Sequence, residues 1–69
     1  MTKDQIDNIF TYHAPKGDQQ ERYVAIREAA KVFANTLNDL CPESREKSIS
    51  LTKLQECVQM ANASIAINE

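Results

Sequence analysis

The sequence predicts an all-α fold in which a short N-terminal helix precedes an antiparallel two-helix hairpin, and three observations support it. The 69 residues include one Gly and two Pro, so few positions suit the tight turns that a sheet needs. Apolar residues recur every three or four positions along two long segments, which is the spacing of one helix face. The break between those segments is short, and helices joined by a short turn lie antiparallel.

A capping-box pattern opens the chain and predicts the first helix. Thr2 is followed three residues later by Gln5, so each side chain can bond to the backbone amide of the other. We therefore expect a short helix within residues 1–11 of a single domain that covers residues 1–69.

A loop separates this helix from the next. Residues 12–18 contain the single glycine and one of the two prolines, which are typical of irregular backbone. Asp18, with Glu21 in the following turn, predicts the cap of a second helix over residues 19–40. The apolar residues of that helix step by three and four, as in the contact line of a coiled coil. They are Tyr23, Ile26, Ala30, Phe33, Leu37 and Leu40.

A turn at residues 41–44 leads to the third helix, which we place at residues 44–68. Pro42 cannot continue the second helix and suits the first turn of the third, where Glu43 and Glu46 favour the positive end of the helix dipole. Apolar residues again step by three and four along this helix. They are Leu51, Leu54, Val58, Ala61 and Ile65.

The end of the third helix predicts self-association. Residues 57–67 are apolar or small on nearly every side, and such a helix is buried on several faces, whereas a hairpin partner covers one. Cys41 and Cys57 are too few for a disulfide framework and, on the order of 20 Å apart along the helix, are expected to be reduced. A domain this small seldom buries enough apolar surface alone, so we expect a homo-oligomer with closed symmetry.

Charge and composition exclude several classes of function. The formal net charge is −2, so no general positive field favours DNA or RNA. No stretch approaches the roughly 20 apolar residues of a membrane span, and the first residues lack the apolar core of a signal peptide. We expect a cytosolic protein without DNA or membrane partners. No metal or other cofactor is expected, because the histidine and the two cysteines lack the spacing of metal ligands.

One region has the residue types that bind a small anionic ligand. Tyr12 and His13 lie in the loop, and Arg22, Arg27 and Lys31 follow on the second helix. An aromatic ring can stack on a base, and a guanidinium can hold a phosphate through two hydrogen bonds. Arg27 and Lys31 are four residues apart and share one helix face. The alternative is that these charges form a solvated outer face beside nearby glutamates.

Catalysis is not expected from this sequence. His13 is the single imidazole, and no serine, cysteine or carboxylate stands at a spacing that would make it part of a catalytic group. The simpler interpretation is that His13 caps or packs the loop. A hydrolase would depend on His13 alone.

Three motifs occur together along nearly the whole chain from Ile9 onward. They are the loop Tyr12-His13-Ala14-Pro15, the turn Cys41-Pro42-Glu43-Ser44 and the ending Ala61-Asn62-Ala63. This combination resembles the phage hairpin-domain family of anti-CBASS and anti-Thoeris nucleotide sponges, and it looks closest to the anti-CBASS branch. A sponge in this sense binds a signalling nucleotide and does not cleave it.

The resemblance implies a homohexamer that sequesters cyclic oligonucleotide second messengers in the cytoplasm of an infected bacterial host. In the family a cyclic dinucleotide lies between two protomers, held by a loop tyrosine and a basic residue of the next helix, and Tyr12 and Arg27 match these positions. Some members hold a cyclic trinucleotide at a second site near the chain end. Many relatives are basic there, and residues 67–69 of this chain, which carry no basic side chain, depart from that pattern. The resemblance assigns Asn62 and Asn68 to this second site.

A rival function comes from the apolar surface alone. The C-terminal helix carries more apolar residues than one neighbouring helix covers. The chain would then be a structural helical hairpin that binds a protein partner through this helix.

Overall fold

A computed structural model describes residues 1–69 as three helices without a strand, which confirms the predicted all-α class. Helix α1 comprises Lys3–Ile9, α2 comprises Gln19–Leu40 and α3 comprises Arg45–Asn68. Helices α2 and α3 pack against each other as the two arms of a hairpin. None of the three combines the length and the apolar character that a membrane crossing requires.

The capping box at the start of α1 is confirmed. The Thr2 hydroxyl accepts a hydrogen bond from the Gln5 amide at 3.1 Å, and the Gln5 side chain accepts one from the Thr2 amide at 2.8 Å. The helix ends at Ile9, two residues before the predicted limit. It ends there because the Thr11 hydroxyl, and not its amide, donates to the Asp7 carbonyl.

Helix α2 begins after Asp18, but the carboxylate of Asp18 does not cap it. The capping prediction is wrong because this carboxylate forms an ion pair with Arg22, one turn ahead, at 3.2 Å. The loop is instead closed by Gln19, whose side chain accepts a hydrogen bond from the Lys16 amide at 3.1 Å. Gln19 is the most buried residue of the chain, so this polar contact anchors the start of the helix.

Helix α3 begins at Arg45, so Pro42 lies in the preceding turn and not in the first turn of the helix as predicted. Ser44 is the N-cap, and its hydroxyl accepts a hydrogen bond from the Lys47 amide at 3.1 Å. The extended backbone of this cap prevents the helix from reaching back to Pro42. Glu43, also outside the helix, pairs with the Lys47 ammonium at 2.5 Å.

The contact line between α2 and α3 is only half-buried. All five predicted contact-line residues of α3 are partly exposed. On α2 the line departs from prediction, because Phe33 is 53% exposed and Leu40 is 78% exposed. Ile26, Phe33 and Leu40 are seven residues apart, and a straight helix turns about 20° with each such step. Each successive member therefore points further away from α3.

The chain forms a thin plate and not a two-layer domain. Its extents are 44 × 28 × 13 Å, and no hydrophobic residue is fully buried. The accessible area is 5464 Å², whereas a compact protein of this mass exposes roughly 4,400 Å². The chain therefore exposes about 1,100 Å² more than a compact protein of its mass. Cys41 and Cys57 are both free thiols.

The Ser44 cap provides a test of the helix start. Ser44→Ala removes the hydroxyl that satisfies the Lys47 amide, and loss of such a cap lowers the free energy of unfolding by about 1 kcal/mol. For a chain of this size, that lowers the melting temperature by about 4–8 °C. Thermal unfolding followed by circular dichroism at one protein concentration measures it. Ser48→Ala, at an exposed position inside α3, is the control, and equal melting temperatures for the two variants would contradict the assignment.

Candidate ligand-binding site

Two grooves run along the α2–α3 layer, one on each side of its contact line. Both have Ala30 and Leu54 in their floor. The polar groove has two cations of α2 on one wall and two amides of α3 on the other, namely Arg27, Lys31, Gln55 and Gln59. The apolar groove, on the opposite face, is lined by hydrophobic side chains that include Ile26, Phe33, Cys57 and Ala61. The plate therefore has one face suited to a polar ligand and one suited to an apolar surface.

Arg27 is the unpaired cation of the polar groove. The chain has eight Lys and Arg side chains, and seven of them form a hydrogen bond or an ion pair within 4.0 Å. Arg27 forms neither, and Lys31 has only the Glu28 carboxylate at 3.9 Å. Because no carboxylate neutralises it, the Arg27 guanidinium keeps its full set of donors for an anion.

The glutamine side chains on the α3 wall of the polar groove are also available to bind a ligand. Gln55 and Gln59 are one turn apart on α3 and exposed. The glutamine side chains that bond elsewhere in the chain are Gln5 and Gln19. The groove is open to solvent and has a volume of about 410 Å³, which lies within the range of small-molecule sites.

Tyr12 lies at a different place from Arg27. Its cavity, about 370 Å³, is at the end of the plate, where the loop meets Ile67 and Glu69 of the third helix. Tyr12 is 84% exposed, so its ring is open to a ligand or to another chain. The structure places Tyr12 and His13 together, and Arg27 and Lys31 together, but no cavity of the single chain contains both pairs.

His13 is part of a hydrogen-bonded connection between the loop and the two terminal elements. Its Nε2 lies 2.7 Å from the Asn8 carbonyl oxygen, which is an acceptor, so this nitrogen carries the proton and donates. The Asn8 amide in turn donates to the Ile67 carbonyl at 3.1 Å. His13 therefore holds the Tyr12 loop against α1, and α1 is held against the end of α3.

Arg22 does not present its terminal nitrogens to a ligand. They donate to both oxygens of the Glu69 carboxylate, one of them at 2.7 Å, and Asp18 is a second partner. The Lys16 ammonium donates to the Glu69 backbone oxygen at 2.5 Å. We name Lys16, Arg22 and Glu69 the latch, because these contacts hold the last turn of α3 to the start of α2.

The latch shifts the ionisation of both of its charged partners. The hydrogen bond from Arg22 lowers the pKa of the Glu69 carboxyl below its ordinary value of 4.5. The same bond, with help from Asp18, raises the pKa of Arg22. Arg22 therefore has partners within the chain, and its role as a ligand residue stays a prediction.

The two residues proposed for a second site are not brought together. Asn62 and Asn68 are six residues apart on α3, so their side chains project about 120° from each other around the helix. Asn68 bonds back to the Ser64 carbonyl of its own helix at 2.9 Å. The Oδ1 of Asn62 is buried without a partner. A single chain therefore offers no shared amide pair here.

Sequence reasoning missed two groups that the structure makes prominent. The partners of Glu69 are 47 and 53 positions away in the chain, so no local pattern identifies the latch. Gln55 and Gln59 did carry a signal, because their spacing of four equals that of Arg27 and Lys31. Two such pairs on antiparallel helices can face each other.

The fold and the groove define a small helical-hairpin protein with a cationic wall in which Arg27 has no internal partner. A sequence model of the Acb2/Tad1 hairpin domain matches residues 2–66. The chain therefore belongs to this family, which comprises the anti-CBASS and anti-Thoeris sponges. The family is known for sequestering cyclic-nucleotide signals and is not known for enzymes. No curated protein and no solved structure gives a significant match.

The latch makes stability depend on pH in a defined direction. Because the pKa of Glu69 is lower in the folded chain than its ordinary 4.5, the latch contributes its full stability above that pH. The contribution is lost as the pH falls through the folded pKa. Thermal unfolding of wild type and Glu69→Gln should therefore differ at pH 7 and converge once the pH has fallen through the folded pKa, which is lower than 4.5.

A matched control separates the latch from general charge effects. Glu56→Gln removes a carboxylate of α3 whose exposed partner is Lys53 at 3.4 Å, and such pairs contribute little. We expect this variant to have the same melting temperature as wild type at pH 7. If Glu69→Gln has the melting temperature of wild type at pH 7, the ion pair between Arg22 and the Glu69 carboxylate contributes nothing to stability.

Proposed function

We propose that this protein is a non-catalytic sponge for cyclic oligonucleotide second messengers, chiefly cyclic dinucleotides. By holding the messenger it would block CBASS-type antiphage immunity in the cytoplasm of the infected bacterial host. Membership of the Acb2/Tad1 family supports the class of ligand. The observation that carries the proposal is the unpaired Arg27 on the wall of the polar groove.

The groove has the chemistry that a phosphodiester requires. The Arg27 guanidinium holds a phosphate through two parallel hydrogen bonds, and Lys31 adds a second positive charge one turn along. The floor of Ala30 and Leu54 contacts the apolar faces of base and ribose. A local cationic wall of this kind binds a small anion even though the net charge of the chain is −2.

A site that contains both Tyr12 and Arg27 requires two copies of the chain. The two residues line separate cavities of one chain, and the Tyr12 ring is largely exposed. We propose that Tyr12 of one protomer closes the polar groove of its partner. A two-fold interface presents each side chain twice, which matches a cyclic ligand with two bases and two phosphates.

The apolar groove supplies a second surface for self-association, on the face opposite the polar groove. The plate exposes about 1,100 Å² more than a compact protein of its mass, and a stable interface buries about 800 Å² on each partner. Ile26 and Phe33 lie in that groove. Copies packed through the apolar face leave the polar face open to the ligand, and the homohexamer implied by the family resemblance is one closed arrangement.

The residues around the site support retention of the ligand without cleavage. His13, the single imidazole of the chain, donates its Nε2 proton to the Asn8 carbonyl. Arg27, Lys31, Gln55 and Gln59 bind and orient but are poor nucleophiles and bases in their ordinary states. The bound messenger would therefore be released intact.

Incubation of the protein with a panel of cyclic dinucleotides and trinucleotides tests the function. The complex is separated from free ligand, heated, and the released ligand is examined by chromatography. Intact ligand is the expected result. A cleaved product would indicate an enzyme, and no retained ligand would favour the rival function, a structural hairpin that binds a protein through α3, where Met60 is 70% exposed.

Substitutions at Tyr12 and Arg27 test the assignment of the site. Tyr12→Ala removes a stacking surface worth about 1–3 kcal/mol per base, and two bases make the loss at least about 30-fold in Kd. Arg27→Ala should weaken binding to a similar extent. Arg27→Lys should weaken it less, because lysine keeps the charge but loses the paired donors. Titration calorimetry measures each Kd.

Arg45→Ala is the control for these variants. Arg45 is exposed at the start of α3, outside the polar groove, and has Glu46 at 3.9 Å. It should bind as wild type does. Unchanged affinity in Tyr12→Ala and Arg27→Ala proteins of native oligomeric size would show that these residues do not hold the ligand.

Phe33 tests the proposed assembly surface. Phe33 is already 53% exposed in the single chain, so Phe33→Glu should not unfold the hairpin, but a charge buried in an interface costs several kcal/mol. We expect smaller species in sedimentation velocity. The control is Asn35→Glu, which projects about 160° away around α2. An unchanged sedimentation coefficient for Phe33→Glu would exclude the apolar groove as the interface.

A further inference from the structure

Contacts with the phosphates cannot distinguish one base from another. The α3 wall of the polar groove, formed by Gln55 and Gln59, can make such a distinction. We infer that Gln59, with Gln55 beside it, recognises an adenine base of the cyclic nucleotide whose phosphate is held by Arg27. This inference rests on the proposed function, because it concerns the same groove. It adds the specificity-determining residues and the class of base.

Antiparallel packing sets the two walls in register. The residue nearer the start of α2 faces the residue nearer the end of α3, so Arg27 lies opposite Gln59, and Lys31 lies opposite Gln55. Packed helix axes are about 8–10 Å apart. A nucleotide lying across the groove therefore contacts a cation with its phosphate and an amide with the edge of its base.

A glutamine amide and an adenine edge are complementary. Adenine presents the N7 acceptor beside the N6 amino donor. The glutamine NH₂ group can donate to N7 while its carbonyl oxygen accepts from the N6 amino group. Guanine presents two acceptors, N7 and O6, on the same edge, so the amide carbonyl would face an acceptor. The Gln59 amide has no hydrogen-bond partner within the chain, so binding adenine breaks no internal contact.

The position of Gln59 relative to Arg27 makes it the principal recognition residue. Arg27 has no internal partner, whereas Lys31 already has Glu28 at 3.9 Å. The phosphate is therefore bound most tightly at the Arg27 end of the groove. The base of that nucleotide reaches Gln59 before it reaches Gln55.

Titration calorimetry with two probes tests the inference. The probes are a cyclic dinucleotide with two adenines and one with two guanines, and the variant is Gln59→Met, which keeps the length and helix propensity of the side chain. Loss of a two-bond amide contact should weaken the adenine ligand by about 5- to 150-fold. The guanine ligand should lose no affinity. Gln20→Met, outside the groove, should leave both affinities unchanged.

The outcomes separate this inference from the proposed function. Adenine binding that is unchanged in Gln59→Met, with wild type still binding both probes, overturns the inference and leaves the sponge function standing. Equal losses for the two probes also overturn it, because a general role of the side chain would not distinguish bases. If wild type binds no cyclic nucleotide, both proposals fail. Circular dichroism and sedimentation of each variant establish that the fold and assembly are native.

Discussion

The whole structure depends on one constraint, which is that two helices of a short chain have a single contact line. A plate 13 Å thick exposes both of its broad faces, and no hydrophobic residue of the chain is fully buried. Polar contacts therefore hold the helices in place where larger domains rely on a hydrophobic core. The side chains of Gln19 and Lys47, the two buried residues, close the loop and the turn, and the latch joins the ends of α2 and α3.

The cations of this chain divide into two sets. Most are paired with carboxylates on their own helix or across the latch, as Arg22 is with Glu69. Arg27 is unpaired, and it lies where an apolar floor and two free amides surround it. An unpaired guanidinium binds an anionic ligand more favourably than a paired one does, because no internal hydrogen bond or ion pair must be broken first.

Much of the fold could be predicted from the sequence, because helix periodicity and caps act locally. The Thr2 capping box and the contact line of α3 follow from spacing alone. The departures have physical causes of longer range: Asp18 pairs with Arg22 and so does not cap, and Leu40 turns away from α3 as the helix continues. The candidate site was only partly predictable, since residue types indicated Tyr12 and Arg27 as ligand residues but could not show that they line separate cavities of one chain.

Native mass spectrometry of the protein with a cyclic dinucleotide tests the shared site most directly, because it reports the oligomer, the number of ligands and the mass of each ligand together. We expect assemblies with an even number of chains that carry about one intact ligand for every two chains. Ligand bound to single chains, or one ligand for every chain, would contradict a site built from Tyr12 of one protomer and Arg27 of its partner.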